Sequence, residues 1–249
     1  MFRVWILAKL FVFVFLVVLQ GCDRGSEPDP PPSSSSSSPH DGLGQRLGMD
    51  VTAQPGRATQ KVTAERKRIV AFGDSLTAGL GVAQEESYPA QLQHRLDEAG
   101  YSYRVVNAGV SGETTAGGLR RVAWVLKSKP SIVILELGAN DGLRGLSLEE
   151  TKMNLEQIIQ QFQQASVTVV LAGMKLPPNY GKDYTDGFES LYHALTKQYR
   201  LTAIPFFLDG VAGSAALNQA DGIHPTKEGY RVIVEKMVPL LEPILERSR

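Results

Sequence analysis

A serine hydroxyl is a poor nucleophile at neutral pH and needs a base beside it. Ser75 is placed for such work. It lies in Val70-Ala71-Phe72-Gly73-Asp74-Ser75-Leu76-Thr77-Ala78-Gly79, where a short apolar run reads as a buried strand over 68–72 and breaks at Gly73. A residue just past the carboxyl end of such a strand faces the crevice in which open α/β sheets bind ligands. The bland reading is a strand-to-helix turn in which Asp74 or Ser75 caps the helix. Of the four histidines, only His224 stands at a strand-to-helix junction beside an acid. His40 lies in a Ser/Pro-rich stretch, His94 between Gln93 and Arg95 reads as a surface residue, and His193 beside Tyr192 reads as structural. Asp221 precedes His224 by three residues. In a tight turn that spacing can bring the carboxylate to imidazole Nδ1, fix the tautomer and leave Nε2 to accept the serine proton.

Attack on an acyl carbon creates an oxyanion, which needs hydrogen-bond donors already in place. Three candidates follow three different strands: Ser75 N–H, Gly112 N–H in Ala108-Gly109-Val110-Ser111-Gly112-Glu113-Thr114-Thr115, and the side-chain amide of Asn140 in Gly138-Ala139-Asn140-Asp141-Gly142. Asn140 has a bland reading too, because Asn-Asp-Gly is strong turn chemistry. The chain contains no Gly-x-Ser-x-Gly elbow, so the α/β-hydrolase route has no support. No His-Glu-x-x-His and no cysteine cluster suggests a metal, and no cofactor is expected.

The elements that would carry these groups alternate. From residue 67 onward, short β-rich runs over 68–72, 103–107, 132–137, 167–174 and 203–208 are separated by amphipathic stretches. That alternation implies an α/β domain with a parallel sheet and covering helices. The run over 132–137 is nearly continuously apolar, as a central parallel strand should be. Helices are predicted from Pro89 to Gly100, through Leu119, Val122 and Val125 to Lys127, over 147–164 with Ser147 and Glu150 at capping-box spacing, over 185–199 and over 226–247. The loop Leu176-Pro177-Pro178-Asn179-Tyr180-Gly181 reads as non-helical. Its Leu176, Pro177 and Tyr180 suit the wall of an acyl or aryl pocket, or a rigid connector.

The chain has 249 residues, with 26 Lys and Arg against 26 Asp and Glu. The formal net charge is zero and no basic stripe suggests nucleic acid. The single cysteine, Cys22, excludes an intramolecular disulfide. Residues 1–21 read as a signal peptide: Arg3 and Lys9 supply charge, and 10–19 is an unbroken run of Leu, Phe and Val. Leu19-Gln20-Gly21-Cys22 resembles a bacterial lipobox, in which the cysteine is lipidated and becomes the new N-terminus. Several acyl chains on one residue give lasting membrane attachment, where one chain gives marginal binding. An uncleaved signal anchor is the alternative. Residues 22–66 then form a tether, with Pro30-Pro31-Pro32 and six serines over 33–38, too poor in apolar residues to offset the entropy of ordering. Residues 67–249 form the one folded domain. These features predict a lipid-anchored protein on the periplasmic side of a bacterial cell envelope. Asp23 after the cysteine resembles an inner-membrane retention signal.

Taken together, Gly73-Asp74-Ser75-Leu76, Gly112, Asn140 and Asp221-x-x-His224 resemble the SGNH (GDSL) hydrolase superfamily, over about residue 68 to the C-terminus. The stretches Val106-Asn107-Ala108, Ser111-Gly112-Glu113-Thr114, Glu136-Leu137-Gly138-Ala139-Asn140-Asp141-Gly142-Leu143-Arg144-Gly145 and Leu176-Pro177-Pro178-Asn179-Tyr180-Gly181 are similar to the branch of bacterial multifunctional thioesterase I/protease I/lysophospholipase L1 and arylesterases. The resemblance implies a single-domain, flavodoxin-like three-layer sandwich whose five-stranded parallel sheet carries helices on both faces. It implies Ser75 as nucleophile, His224 as base and acid, Asp221 as its orienter, and Gly112 with Asn140 as oxyanion donors, while Asp74 shapes the turn.

The function expected is a monomeric serine esterase. It would act on short- to medium-chain acyl esters, including aryl esters, thioesters and lysophospholipids, through an acyl-Ser75 intermediate. The rival readings are a carbohydrate O-acetylesterase of the same superfamily and a non-catalytic lipid-binding lipoprotein.

Overall fold

The protein is described here by a computed structural model covering residues 66–247. The signal segment, Cys22, Asp23 and the tether up to residue 65 fall outside the described residues.

The apolar runs become five strands: β1 (Lys67–Gly73), β2 (Tyr103–Gly109), β3 (Ile132–Glu136), β4 (Thr168–Ala172) and β5 (Thr202–Ile204). All pair in parallel, in the order β2-β1-β3-β4-β5. Every residue of β3 is buried, which accounts for its unbroken Ile-Val-Ile-Leu: a strand covered on both faces has no polar alternation. The cover comes from α2 (Tyr88–Glu98), α3 (Thr115–Leu126), α5 (Leu148–Gln164), α6 (Lys182–Tyr199) and α7 (Lys227–Glu246), while two short helices, α1 (Ser75–Ala78) and α4 (Ala139–Leu143), sit directly after β1 and β3. Helices α3, α5 and α6 pack in a row, and α2 packs on α7. This is the three-layer α/β architecture with a five-stranded parallel sheet that the resemblance implied.

Local chemistry sets the helix ends. Ser147 accepts the Glu150 N–H at 3.3 Å and starts α5, whose Leu155, Ile158, Ile159 and Phe162 face the core. Thr226 does the same for Gly229 at the start of α7. An edge-on aromatic pair ties α5 to the sheet, with Phe72 of β1 5.7 Å from Phe162 of α5.

Several expected boundaries move, each for a local reason. The fifth strand stops at Ile204 instead of 208, because Pro205 has no N–H for the ladder and the chain turns through Phe207 onto Gly173 O. The fourth spans Thr168–Ala172 rather than 167–174. Helix α6 starts at Lys182, ahead of the expected 185, directly after Gly181 at φ 84°. The loop over 176–181 contains a 3₁₀ turn at Pro178–Tyr180, since a proline is tolerated in a first helical turn. Asn140 lies in α4 and not in an open turn.

Candidate active site

Parallel register brings the candidate groups to one edge. Gly73 of β1 is level with Gly109 of β2 and Glu136 of β3. The segments carrying Ser75, Gly112 and Asn140 therefore leave the sheet side by side. In this strand order the winding reverses between β1 and β3, and the crevice of such a sheet opens at that reversal. Gly73 is required there: a Cβ would lie 2.1 Å from Thr77 Oγ1 and 2.5 Å from the Glu136 carbonyl oxygen. Asp74 caps α1 by accepting the Leu76 N–H at 3.0 Å, and Ser75 opens the helix. The cap of the bland reading is thus present, and so is the constellation.

His224 Nε2 lies 2.8 Å from Ser75 Oγ, and His224 Nδ1 lies 2.7 Å from Asp221 Oδ2. The other Asp221 oxygen accepts the backbone N–H of His224 at 3.0 Å and of Ile223 at 2.9 Å. Those two bonds, then the imidazole, hold the Asp221 carboxyl down at about 2. It is a carboxylate at neutral pH, so it keeps a proton on Nδ1 and leaves Nε2 as an acceptor. The turn is fastened to the rest of the site by Gln219. Its N–H donates to His224 O at 2.7 Å, and its Nε2 donates to Leu80 O at 2.7 Å and Pro225 O at 3.0 Å.

Asn140 Nδ2 donates to Asp74 Oδ2 at 2.9 Å. Gly138, with φ 114°, leads into α4; a Cβ there would come 2.2 Å from Tyr192 Oη, which donates to Leu137 O at 2.9 Å. Buried Asp141 accepts the Thr115 N–H at 2.8 Å and its hydroxyl at 2.5 Å, and so joins α4 to the start of α3. Gly112 sits in the exposed loop before α3 at φ 76°, and its carbonyl accepts from Arg144 Nη2 at 2.9 Å. Val110 N–H donates to Gly73 O at 3.0 Å. Both Glu113 carboxylate oxygens accept from Arg121 Nε at 2.8 Å and Oε2 also accepts from Arg121 Nη2, which in turn donates to Gly73 O at 3.1 Å, and the guanidinium lies 4.2 Å from the Phe72 ring centroid. The Gly112 loop is thereby bound to the end of β1.

Beneath the turn lies a second acid. Glu136 is fully buried, and its Oε2 accepts the Thr77 hydroxyl at 2.6 Å and the Asp74 N–H at 3.3 Å. Burial first, and the Asp74 charge second, push the Glu136 carboxyl well above its ordinary value. Burial pushes Asp74 up to about 6, against the pull of the Leu76 N–H and the Asn140 amide.

Of the expected pocket wall, Leu176 packs on Gly142, where a Cβ would be 2.6 Å from its Cδ2, and Tyr180 Oη donates to Leu143 O at 3.0 Å. Both residues therefore touch α4, the helix of Asn140. Pro177 is exposed ahead of the 3₁₀ turn. His94 and His193 lie at the surface, each near a glutamate on its own helix. Glu136, Arg121, Glu113 and Gln219 have no role that the sequence pattern assigns. A charged residue closing an apolar strand was the signal for Glu136; the others act through contacts that no spacing announces. A hollow of about 770 Å³ between α2 and α7, walled by Glu86, His94, Arg95, Lys227 and Arg231 among others, includes none of the constellation. Among the described residues no group of three or more His, Cys, Asp or Glu side chains is placed to hold a metal ion.

The pattern of the GDSL-like lipase/acylhydrolase family matches residues 71–232, a stretch that contains Ser75, Gly112, Asn140, Asp221 and His224. Esterase TesA of Pseudomonas aeruginosa is 43% identical over 188 residues, which cover 75% of this chain and 92% of the relative. Thioesterase 1/protease 1/lysophospholipase L1 of Escherichia coli K12 is 36% identical over 181 residues, covering 72% of this chain and 86% of the relative. A crystal structure of TesA superposes with a TM-score of 0.69 at 42% identity, over 71% of this chain and 99% of that one.

Proposed function

We propose residue roles and a substrate range for this chain, which belongs to the GDSL-like lipase/acylhydrolase family and is a serine esterase. The observation that carries the roles is the unbroken relay from Ser75 Oγ through both His224 nitrogens to Asp221.

Ser75 Oγ attacks the ester carbonyl carbon while its proton passes to His224 Nε2. The carbonyl π pair moves to oxygen, and the oxyanion takes hydrogen bonds from Ser75 N–H, Gly112 N–H and the Asn140 amide. Asp221 stays ionised and steadies the imidazolium. The intermediate collapses, the bond to the alcohol or thiol breaks, and the leaving group takes the proton back from Nε2. Water then attacks acyl-Ser75, giving its proton to Nε2. The second collapse returns that proton to Ser75 Oγ and releases the carboxylic acid.

The proposed substrates are short- to medium-chain acyl esters, including aryl esters, thioesters and lysophospholipids. The name of the Escherichia coli relative supports thioester and lysophospholipid turnover. Leu176 and Tyr180 beside α4, with exposed Val110 and Ile223 on the segments of Gly112 and His224, offer apolar contact for an acyl chain. Cys22 is proposed as the lipidated residue, anchoring a monomeric enzyme on the periplasmic side of a bacterial envelope, with Asp23 favouring the inner membrane. The lipobox-like Leu19-Gln20-Gly21-Cys22 supports this reading. Among the described residues no helix is long and apolar enough to cross a membrane.

Hydrolysis of p-nitrophenyl esters from acetyl to long chains by the full-length protein tests the substrate range. A maximum at short to medium chains is expected, and Ser75→Ala should abolish it. Activity confined to acetate would point to a carbohydrate deacetylase instead. Anchoring predicts that Cys22→Ser moves the activity from the membrane to the soluble fraction.

A further inference from the structure

Asp74 stands next to Ser75 and is 1% exposed, yet the reaction described above uses none of its atoms. Its two carboxylate oxygens do different things. Oδ1 makes a local bond, accepting the Leu76 N–H at 3.0 Å to cap α1. Oδ2 makes a long-range one, accepting Asn140 Nδ2 at 2.9 Å across 66 residues of sequence. A helix cap needs only the first. The second reaches a group with its own part in the chemistry.

We propose that Asp74 is a positioning residue for the oxyanion site: Oδ2 fixes the orientation of the Asn140 amide, while Oδ1 holds the turn that presents Ser75. The proposal rests on the reading of Ser75 as nucleophile and Asn140 as oxyanion donor. A primary amide has a donor end and an acceptor end of nearly equal shape. A carboxylate accepts only, so it draws the NH₂ end and repels the carbonyl end. One N–H is spent on Asp74, the amide plane is set, and the second N–H remains for a substrate oxygen. A neutral side chain cannot do both jobs. Asn would turn a donor toward either Leu76 N–H or the Asn140 amide, and Ser would reach only one of them.

Asp74 is itself immobilised. Its backbone N–H donates to Glu136 Oε2, which also receives the Thr77 hydroxyl from α1. Main chain and side chain are held at once, on elements that end at the same level of the sheet. An amide pinned in this way needs little reorganisation when negative charge develops on the substrate.

The test is a double-mutant cycle in the full-length protein, read as kcat and KM on p-nitrophenyl butyrate with thermal melting beside it. Asp74→Ser keeps a capping oxygen for Leu76 and removes the acceptor for Asn140. In the wild-type background we expect kcat to fall on the order of 10- to 100-fold with KM nearly unchanged, as for a loss felt only in the transition state. In the Asn140→Ala background the same substitution should cost less than about 3-fold, because residues acting as a unit are non-additive. If Asp74→Ser does not fold, Asp74→Asn keeps the size and the cap and carries the same expectation. Equal losses in both backgrounds, or an unchanged kcat in the single variant, would overturn the positioning role. An unchanged kcat in Asn140→Ala would overturn it together with the donor role of Asn140. Activity surviving in Ser75→Ala would instead sink the reading of the site on which it rests.

Discussion

Glu136 makes a quantitative prediction. It is fully buried, with no cationic partner among its hydrogen bonds, and faces Asp74, Thr77, Tyr88 and Tyr230. Burial and the Asp74 charge raise its folded-state value well above that of an exposed glutamate. In the unfolded chain Glu136 loses its proton near the ordinary value, about 4.3. The folded state keeps it, so between the ordinary and the raised value folding holds one extra proton. Stability from this group is fully present below the lower value and is lost as pH rises toward the higher one. One proton corresponds to about 1.4 kcal/mol per pH unit. Glu136→Gln keeps the shape and an acceptor for Thr77 and Asp74, and does not titrate. Urea denaturation of both full-length proteins at several pH values from 5 upward should show the variant gaining on the wild type at about that slope until the raised value is reached. The difference should approach a constant below pH 4. Parallel curves across the range would overturn this, since they would mean that Glu136 is as ionised in the folded state as in the unfolded one.

Three further outcomes follow from the site. Asp221→Asn retains an oxygen for the Ile223 and His224 N–H groups but turns an amide toward Nδ1, favouring the tautomer that carries its proton on Nε2; kcat should fall about 10⁴-fold, a barrier increase of about 5.4 kcal/mol, with little change in melting temperature. Steady-state kinetics showing less than a 10-fold loss would count against the relay. Arg121→Lys cannot reproduce the paired contacts to Glu113 or the bond to Gly73 O, and should destabilise the protein by about 1–3 kcal/mol in denaturant titration while freeing the Gly112 loop to exchange its amide hydrogens. Gly138→Ala places a Cβ 2.2 Å from Tyr192 Oη at a φ of 114°, and should lower both the melting temperature and kcat, since the same residue leads into the helix of Asn140.

The sequence was most legible where one residue type serves one purpose. The apolar run before Gly73, the alternation of strands and helices, and the close spacing of Asp221 and His224 all depend on local pattern. They led to the parallel sheet and to the pair that the structure places within 2.7 Å. Legibility failed where a local rule met a tertiary one. Asn140-Asp141-Gly142 satisfies turn chemistry, yet Gly138 and the Asp141–Thr115 bonds wind it into α4. The fifth strand looked twice as long because its apolar residues continue past Pro205, whose missing N–H ends the ladder. Asp74 was readable as a cap but not as the partner of Asn140, because that contact spans 66 residues. Glu136 reads as the polar end of a strand, and only the packing of α1 above it reveals a buried acid.

The proposed mechanism requires that Ser75 becomes covalently acylated. The most direct measurement is intact-mass and peptide-level mass spectrometry of the full-length protein after reaction with a p-nitrophenyl alkylphosphonate, a phosphorus mimic of the acyl group. One alkylphosphonyl adduct is expected, located on Ser75, forming in step with loss of esterase activity and absent from Ser75→Ala. Inactivation with the adduct on another residue, or full activity in protein whose Ser75 is fully modified, would contradict it.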